Sequence, residues 1–307
     1  MKISIITAMM ATLLLCSCHN AEYRHIEGAA WGTTYHITYR SAEDLSPNVQ
    51  QMIELVNSTL SPFNPNSQIS RINRGEDSIP GPEFTEVFRL SQRICSISGG
   101  AFDPTVAPLV NLWGFGYKPG ADEPSQQQID SARQAVGILQ CEISEEGVLR
   151  KKSPSTEFNF SSIAKGYGVD LIARALASQG CTDYMVEVGG EIVLAGKSPR
   201  GNEWRIQVDA PDFDNPEAHS RAQVLQLTDC AIATSGNYRN YRHSADTIVG
   251  HTISPLTGRP IITKTLSATV IAPTCALADA LATTAMALPP DSAGAVITRA
   301  GARLITQ

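Results

Sequence analysis

Two oxygen-bearing side chains lie four residues apart near the end of the chain. Asp279 and Thr283 belong to residues 275–288, an apolar segment that predicts a helix ending before Pro289. A spacing of four places both side chains on one helix face. A carboxylate among such small and apolar neighbours needs a partner, and an Asp with a hydroxyl is a hard-oxygen pair suited to Mg²⁺. On spacing alone, a surface Asp beside a Thr that bonds its own helix remains the simpler interpretation.

The sequence SSIAKGYG at residues 161–168 could bind an anion. Its small residues let the backbone approach a ligand, and the helix predicted over residues 163–179 offers N–H groups at its N-terminus. Lys165 adds a positive charge. The segment lacks the pattern of a P-loop, so an ordinary loop before a helix is the plainer alternative.

Two further residues could take part in chemistry. Asp103 stands directly before Pro104 in a turn, where an Asp usually caps its own backbone. His251 begins a loop rich in Pro and Gly, and a histidine in such a loop is a candidate general base.

The elements that must position these residues mix without strict βαβ alternation, which predicts an α+β fold. Alternation predicts strands over residues 35–39 and 158–162, a hairpin over 184–194, and strands over 204–208 and 222–227 that extend the same sheet. Helical spacing predicts helices in four segments besides the last one, namely residues 47–60, 83–98, 131–139 and 163–179. A surface loop is expected over residues 118–128.

The N-terminus predicts export from the cytoplasm. Residues 1–17 have the charge, apolar stretch and small residues of a lipoprotein signal peptide, which places the lipidated thiol at Cys18. Acyl chains such as palmitate would anchor Cys18 in a membrane, with residues 18–30 as a tether and 31–307 as the folded domain. An ordinary secretory signal is the alternative. The site expected is extracytoplasmic, on the periplasmic side of the inner membrane.

Composition excludes some classes of function. The net charge of −6 without a basic block argues against a nucleic-acid partner. The five cysteines after Cys18 are isolated, so a zinc site is not expected, and their spacing does not decide whether disulfides form.

Eight segments, taken together and in order, resemble the FAD:protein FMN transferases, the ApbE-like flavin transferase family. They extend over nearly all of the chain after residue 31. They are GTTY (32–35), LSPF with SRIN (60–63 and 70–73), GGAFDPTVAPLVNLWGFG (99–116), NFSSIAKGYGVD (159–170), VEVGGEI (186–192), AIATSGNY (231–238), HTISPLTGRP (251–260) and ADALATTAM (278–286).

The resemblance implies two closely packed subdomains with mixed or antiparallel sheets flanked by helices, and FAD bound between them. It implies Mg²⁺ at the Ser162 carbonyl, Asp279 and Thr283, with His251 as general base. The positions that correspond to FAD contacts are Trp31, Phe63, Ala101, Phe102, Asp103, Asn159, Lys165 and Ile253. Two positions depart from the family's pattern, because Ser254 and Asn159 both stand where Asp is common.

The implied activity is Mg²⁺-dependent transfer of FMN from FAD onto a Ser or Thr hydroxyl of an extracytoplasmic acceptor, with release of AMP. The acceptor would be a flavin-carrying subunit of a membrane redox pump or another secreted flavoprotein. Three alternatives stay open: a lipoprotein that stores or delivers FAD, an enzyme that hydrolyses FAD to FMN and AMP, and a scaffold with a decayed site. The membrane would be contacted through the lipid anchor only.

Overall fold

A computed structural model describes residues 21–118, 123–210, 221–236, 241–244, 247–250 and 252–307. Cys18 and His251 therefore lie outside the described residues, as does the predicted signal peptide. Within the described part of the chain, no helix has the length and apolar character needed to cross a membrane.

The strands pair antiparallel throughout. In chain order they are β1 (Glu22–Ala30), β2 (Thr33–Ser41), β3 (Glu142–Ile143), β4 (Leu149–Arg150), β5 (Tyr184–Val188), β6 (Glu191–Ala195), β7 (Trp204–Asp209), β8 (Arg221–Leu227), β9 (Cys230–Gly236), β10 (Tyr241–Ser244), β11 (Thr247–Gly250), β12 (Ser267–Ala272) and β13 (Arg303–Thr306). A central seven-stranded sheet has the order β1-β2-β5-β6-β9-β12-β13, and three hairpins (β3-β4, β7-β8 and β10-β11) form separate two-stranded sheets.

Eight helices lie in the described part of the chain. They are α1 (Ser46–Thr59), α2 (Gln68–Arg74), α3 (Pro82–Ile97), α4 (Ala107–Leu112), α5 (Gln126–Arg133), α6 (Ala164–Ser178), α7 (Cys275–Ala287) and α8 (Pro290–Arg299). Short 3₁₀ turns cover Pro104–Val106 and Ile138–Gln140.

One body of the molecule is the sheet with α1 and α6 packed on it. Alternate residues of β2 point to the core, and Ile37 is fully buried beside Val49 of α1 and Ile172 of α6. The second body contains α2, α3 and an aromatic cluster in which the Phe84 and Phe160 rings lie 5.1 Å apart. Helix α7 packs on β9, β12 and α6 and contributes to the cores of both bodies. The α+β class with antiparallel sheets flanked by helices is confirmed.

Four local predictions were wrong. Residues 22–30, assigned to the tether, form β1 and pair with β2 along its whole length. Strands β7 and β8 do not extend the central sheet. Trp204 and Ile206 of β7 pack instead in an apolar cluster with Ile192 of β6 and Ile232 of β9, which are inner strands of the sheet, so the hairpin lies against the sheet and not at its edges β1 and β13.

The other two errors concern segments beside the loop region. The helix expected over 131–139 is α5, which begins earlier because Ser125 and Gln128 form a capping box. Residues 158–162 form no strand. The amide of Asn73 instead bonds both the N–H and the C=O of Phe158, so these backbone groups have no strand partner.

The two-residue hairpin turn between β5 and β6 has the chemistry expected of it. Gly189 and Gly190 have φ of 62° and 98°, as a type I′ turn requires. The five cysteines among the described residues are all free: Cys95, Cys141, Cys181, Cys230 and Cys275.

Candidate functional site

A cavity of about 450 Å³ lies where the two bodies meet α7. It brings together ten residues that the sequence singled out from five separate segments, namely Phe63, Ala101, Phe102, Asp103, Asn159, Ser162, Lys165, Ile253, Asp279 and Thr283. Their roles at the cavity stay predictions, but their convergence on one surface is what a shared ligand requires. A second, more open groove on the β7-β8 hairpin contains none of them.

Asp279 forms the buried end of the cavity. Its side chain is 4% exposed, and Oδ2 accepts the N–H of Gly166 at 3.0 Å. None of the described residues donates a hydrogen bond to Oδ1. Helices α6 and α7 approach this closely because residue 166 is glycine: a Cβ there would lie 2.8 Å from the Asp279 Cβ and collide with the Cys275 carbonyl. Burial raises the pKa of Asp279, although the Lys165 charge and the Gly166 N–H oppose this.

Lys165 and Glu191 form a salt bridge in the same cavity. Lys165 Nζ donates to Glu191 Oε2 at 2.6 Å, and Glu191 is 2% exposed. Burial lowers the pKa of Lys165, but the carboxylates of Glu191 and Asp279 outweigh this and raise it, so the ammonium stays charged. Burial also raises the pKa of Glu191, against the effect of Lys165. Two acidic groups whose pKa values burial raises thus share one ammonium, and a further cation bound here would stabilise the ionised form of both.

Thr283 lies one turn along α7 from Asp279, as its spacing predicts. Its hydroxyl is 3.3 Å from the Ser235 hydroxyl on β9. The described residues contain no group of three or more His, Cys, Asp or Glu side chains that could hold a metal ion by themselves. A metal here would thus be held by one carboxylate, a hydroxyl and the predicted Ser162 carbonyl, with ligand phosphates completing the shell. That donor set fits Mg²⁺, which binds through few protein oxygens and substrate phosphates.

Asp103 reaches the cavity but also caps its own turn. Oδ1 accepts the Thr105 N–H at 2.8 Å, and Oδ2 accepts the Ile138 N–H at 3.0 Å. Burial raises the pKa of Asp103 in spite of these bonds. The capping role that is usual for a turn Asp is thus present, and it fixes the loop that carries Ala101 and Phe102.

The mouth of the cavity is apolar and aromatic. Phe63 is 70% exposed and meets the Tyr117 ring edge-on at 6.2 Å. Phe115 and Ile253 line the cavity nearby, and Ile253 is buried and forms a bridge to Pro260. An exposed ring beside buried apolar side chains is suited to stacking on a planar ligand.

Of the two remaining predicted FAD contacts, Asn159 lies at the cavity and Trp31 lies away from it. The Asn159 Oδ1 accepts the N–H of Ser161 at 2.9 Å and so shapes the loop before α6. Trp31 does not line the cavity. It lies in the β1-β2 turn with φ of 51°, its indole covers Gly168, and Nε1 donates to the Ile53 carbonyl at 3.3 Å.

Sequence reasoning assigned no role to Glu191 or to the hydroxyls of Thr234 and Ser235, which also line the cavity. The sequence does contain one indication of a role for Glu191, because this glutamate begins a strand of otherwise apolar residues directly after a Gly-Gly turn. The hydroxyls at the end of β9 gave no comparable indication, because Ser and Thr are ordinary near strand ends.

Known proteins resemble this chain over nearly its whole length. The sequence profile of the ApbE family matches residues 31–305. The FAD:protein FMN transferase of Vibrio cholerae is 37% identical over 302 residues, covering 95% of this chain and 89% of that protein. The protein of the same name from Haemophilus influenzae is 34% identical over 307 residues, covering 95% and 88%.

Solved structures agree with the sequence comparison. The flavin transferase ApbE of Vibrio cholerae has a TM-score of 0.82 at 35% identity and covers 93% of each chain. The apo form of the Pseudomonas stutzeri flavinyl transferase ApbE has a TM-score of 0.83 at 30% identity, covering 94% of this chain and 92% of that one.

Proposed function

The chain belongs to the ApbE family, and from that premise we propose that it is an FAD:protein FMN transferase. It moves the FMN part of FAD onto a Ser or Thr hydroxyl of an acceptor protein and releases AMP. The observation that carries this proposal is the cavity itself. An exposed aromatic ring, Phe63, stands at its mouth, and a half-buried ammonium (Lys165) and a buried carboxylate (Asp279) lie deeper in it. FAD likewise has a planar aromatic part, the flavin, and a charged part, the diphosphate.

Each part of FAD has a chemically matched surface. The isoalloxazine ring would stack near Phe63 and Phe115, and the diphosphate would lie against Lys165 and the N-terminus of α6. Mg²⁺ held by Asp279, Thr283 and the Ser162 carbonyl would neutralise phosphate charge and polarise the phosphorus.

The transfer step needs a base as well as charge neutralisation. The acceptor's hydroxyl oxygen forms a bond to the FMN phosphorus, the bond from that phosphorus to the AMP oxygen breaks, and the hydroxyl proton passes to His251. Lys165 stabilises the charge on the diphosphate oxygens during this exchange. Asp103 keeps the loop with Ala101 and Phe102 in place against the ligand.

The cellular setting is also proposed. The lipoprotein signal over residues 1–17 supports a protein anchored through acyl chains on Cys18, on the periplasmic side of the inner membrane. Its acceptor would then be an extracytoplasmic flavin-carrying protein such as a subunit of a membrane redox pump.

Transfer is tested by incubating the protein with FAD, Mg²⁺ and a candidate acceptor, followed by mass spectrometry of the acceptor. The expected result is an acceptor carrying one FMN phosphoester, with an equal amount of AMP released. The matched control pair is Lys165→Met, whose transfer rate should fall by about 10²–10³-fold but stay measurable, and Arg200→Met in the exposed β7-β8 groove, which should keep the wild-type rate.

Two other outcomes would overturn the proposal in different ways. Release of FMN and AMP in equal amounts with an unmodified acceptor would identify a hydrolase. Tight binding of intact FAD without any AMP would identify a protein that stores or delivers the flavin.

A further inference from the structure

Glu191 is a buried acidic residue that takes no part in the transfer step proposed above. It is the first residue of β6, directly after the Gly189-Gly190 turn, and is 2% exposed. Taking a carboxylate out of water costs several kcal/mol unless a partner compensates. The partner is Lys165, whose Nζ lies 2.6 Å from Glu191 Oε2.

The salt bridge fixes an otherwise flexible side chain. A lysine side chain has four rotatable bonds, so a lone ammonium in the cavity would sample many positions. Glu191 is held by the pairing of β6 with β5 and β9, and it therefore gives the Lys165 ammonium a rigid reference point. Among the described residues, Glu191 alone accepts a hydrogen bond from Nζ, and the remaining N–H groups are available to a ligand.

The same carboxylate works against an anionic ligand in the ground state. Glu191 and Asp279 both lie beside the single positive charge of Lys165, and burial and the neighbouring Asp279 raise the pKa of Glu191 against the effect of Lys165. Replacing Glu191 by the neutral amide removes a group that repels phosphate whenever it is ionised, so the cavity becomes no less attractive to a diphosphate. Glu191 therefore favours a high transfer rate, because it positions Lys165, and disfavours FAD binding, because its charge repels the diphosphate.

We propose that Glu191 is a positioning residue for flavin transfer, which holds the Lys165 ammonium where the diphosphate gains negative charge as AMP leaves. The proposal rests on the transferase function given above. It requires that Glu191 act through Lys165 and that its effect appear in the rate at saturating FAD, because misplacing a catalytic charge by about 1 Å costs on the order of 10²-fold in rate.

The test compares Glu191→Gln with wild type in FAD binding and in single-turnover transfer. The variant should bind FAD as tightly as wild type or more tightly. Its transfer rate at saturating FAD and Mg²⁺ should fall between about tenfold and about 10²-fold. In a Lys165→Met background, the same Glu191→Gln change should have no further effect on the rate, because the group that it positions is gone.

Glu187→Gln is the matched control. Glu187 lies in the same hairpin, and its carboxylate accepts the Gly190 N–H at 2.7 Å and pairs with His36 at 2.8 Å. The substitution removes the same charge without touching Lys165, and the rate should stay within about twofold of wild type, the range expected of a change away from the site.

Three results would overturn the inference. Glu191→Gln could weaken FAD binding and lower the melting temperature while the saturated rate holds, which would make Glu191 a scaffold for the hairpin. The rate loss could persist in the Lys165→Met background, which would show an independent effect. Wild type could bind FAD yet transfer no FMN, and in that case the proposed function fails first and the positioning role with it.

Discussion

The two carboxylate oxygens of Asp279 have different environments. Oδ2 is tied to the Gly166 N–H, while Oδ1 has no hydrogen-bond donor among the described residues, and the side chain lines the cavity. The first bond orients the side chain on a helix otherwise built from small and apolar residues. The second oxygen is thereby presented to whatever the cavity binds. An immobilised, half-satisfied carboxylate is a good metal ligand, because its geometry is set before the metal arrives.

We expect Asp279→Ala to abolish measurable Mg²⁺ binding and Thr283→Ala to weaken it by about tenfold, since a carboxylate supplies charge and a hydroxyl only a dipole. Calorimetric titration with Mg²⁺ in the presence of FAD measures both. The matched control is Thr284→Ala, because that hydroxyl donates to the Ala280 carbonyl of its own helix at 2.7 Å. Unchanged Mg²⁺ affinity in Asp279→Ala would remove this residue from the metal site.

His251 lies outside the described residues, and its role as the base is a prediction from the resemblance. If it takes the proton, His251→Ala should bind FAD like wild type while its single-turnover rate drops by about 10²–10⁴, the usual contribution of a general base. The wild-type rate should rise with pH across the range where imidazole loses its proton, since only the neutral ring accepts one. Weakened FAD binding with a normal saturated rate would make His251 a ligand contact.

Residue types and spacing singled out Asp279, Thr283 and Lys165, which the structure places at one cavity, because helical periodicity puts residues four apart on one face; their metal and phosphate roles stay predictions. Glu191 could not be found in this way. The role proposed for Glu191 depends on its contact with Lys165 of α6. That contact arises from the packing of β6 beside α6, which the local sequence does not encode.

At the scale of elements, the crossing of α6 and α7 sets the geometry of the inner cavity. Gly166 permits the close approach, and Asp170 reinforces it by accepting the N–H groups of Cys275 and Ala276 at 2.8 and 2.9 Å. These two contacts fix the N-terminus of α7 on α6. Helix α7, which carries the predicted metal ligands, is thus bonded to α6 at its N-terminus and at Asp279, the first of its residues that line the cavity.

Gly166→Ala should force α6 and α7 apart and destabilise the fold by about 1–3 kcal/mol, the usual cost of overpacking. Mg²⁺ affinity should fall with it, because the bond to Asp279 is displaced. Gly294→Ala is the matched control in α8: nothing lies within 4 Å of the place its new methyl group would occupy, so stability should rise by about 0.5–1 kcal/mol. Urea unfolding of both variants checks this, and equal effects would contradict the crowding argument.

Asp170 should give stability a distinctive pH dependence. Burial raises the pKa of its carboxyl to about 6 from 3.8, although the two N–H groups oppose this. The folded state therefore holds a proton that the unfolded state has already released, so the contribution is full below about pH 4 and is lost as pH rises through about 6.

The measurement for Asp170 is the free energy of unfolding of wild type and Asp170→Asn at pH 4 and pH 7. The advantage of wild type over the variant should shrink by up to about 3 kcal/mol between the two. If the difference in free energy of unfolding stays constant or grows with pH, burial does not raise the pKa of the Asp170 carboxyl.

Sequence patterns predicted the long helices and the β5-β6 hairpin but not the assembly of the sheet. The helices α1, α3, α6 and α7 and the β5-β6 hairpin follow from periodicity and turn chemistry, which are local. The alternation of β7 predicted a strand correctly, but it did not say whether Trp204 would face the edge or the face of the sheet. Strand β1 was missed because its residues are mostly exposed and it is recognisable mainly by its pairing with β2.

At the scale of the whole molecule, the cavity combines residues from both bodies. Phe63 and Asp103 belong to the helical body, and Glu191 belongs to the sheet, while α7 contributes Asp279 to the junction. A ligand that bridges the two bodies should therefore stabilise the entire fold, by mass action on the folded state. We expect FAD to be this ligand, with its diphosphate against Lys165.

A crystal structure of the protein with FAD and Mg²⁺ tests that claim most directly. We expect FAD in the cavity, with the isoalloxazine ring beside Phe63, a diphosphate oxygen within hydrogen-bonding distance of Lys165 Nζ, and Mg²⁺ on the Asp279 carboxylate. FAD bound in the β7-β8 groove, or in the cavity with its diphosphate directed away from Lys165 and Asp279, would contradict the account.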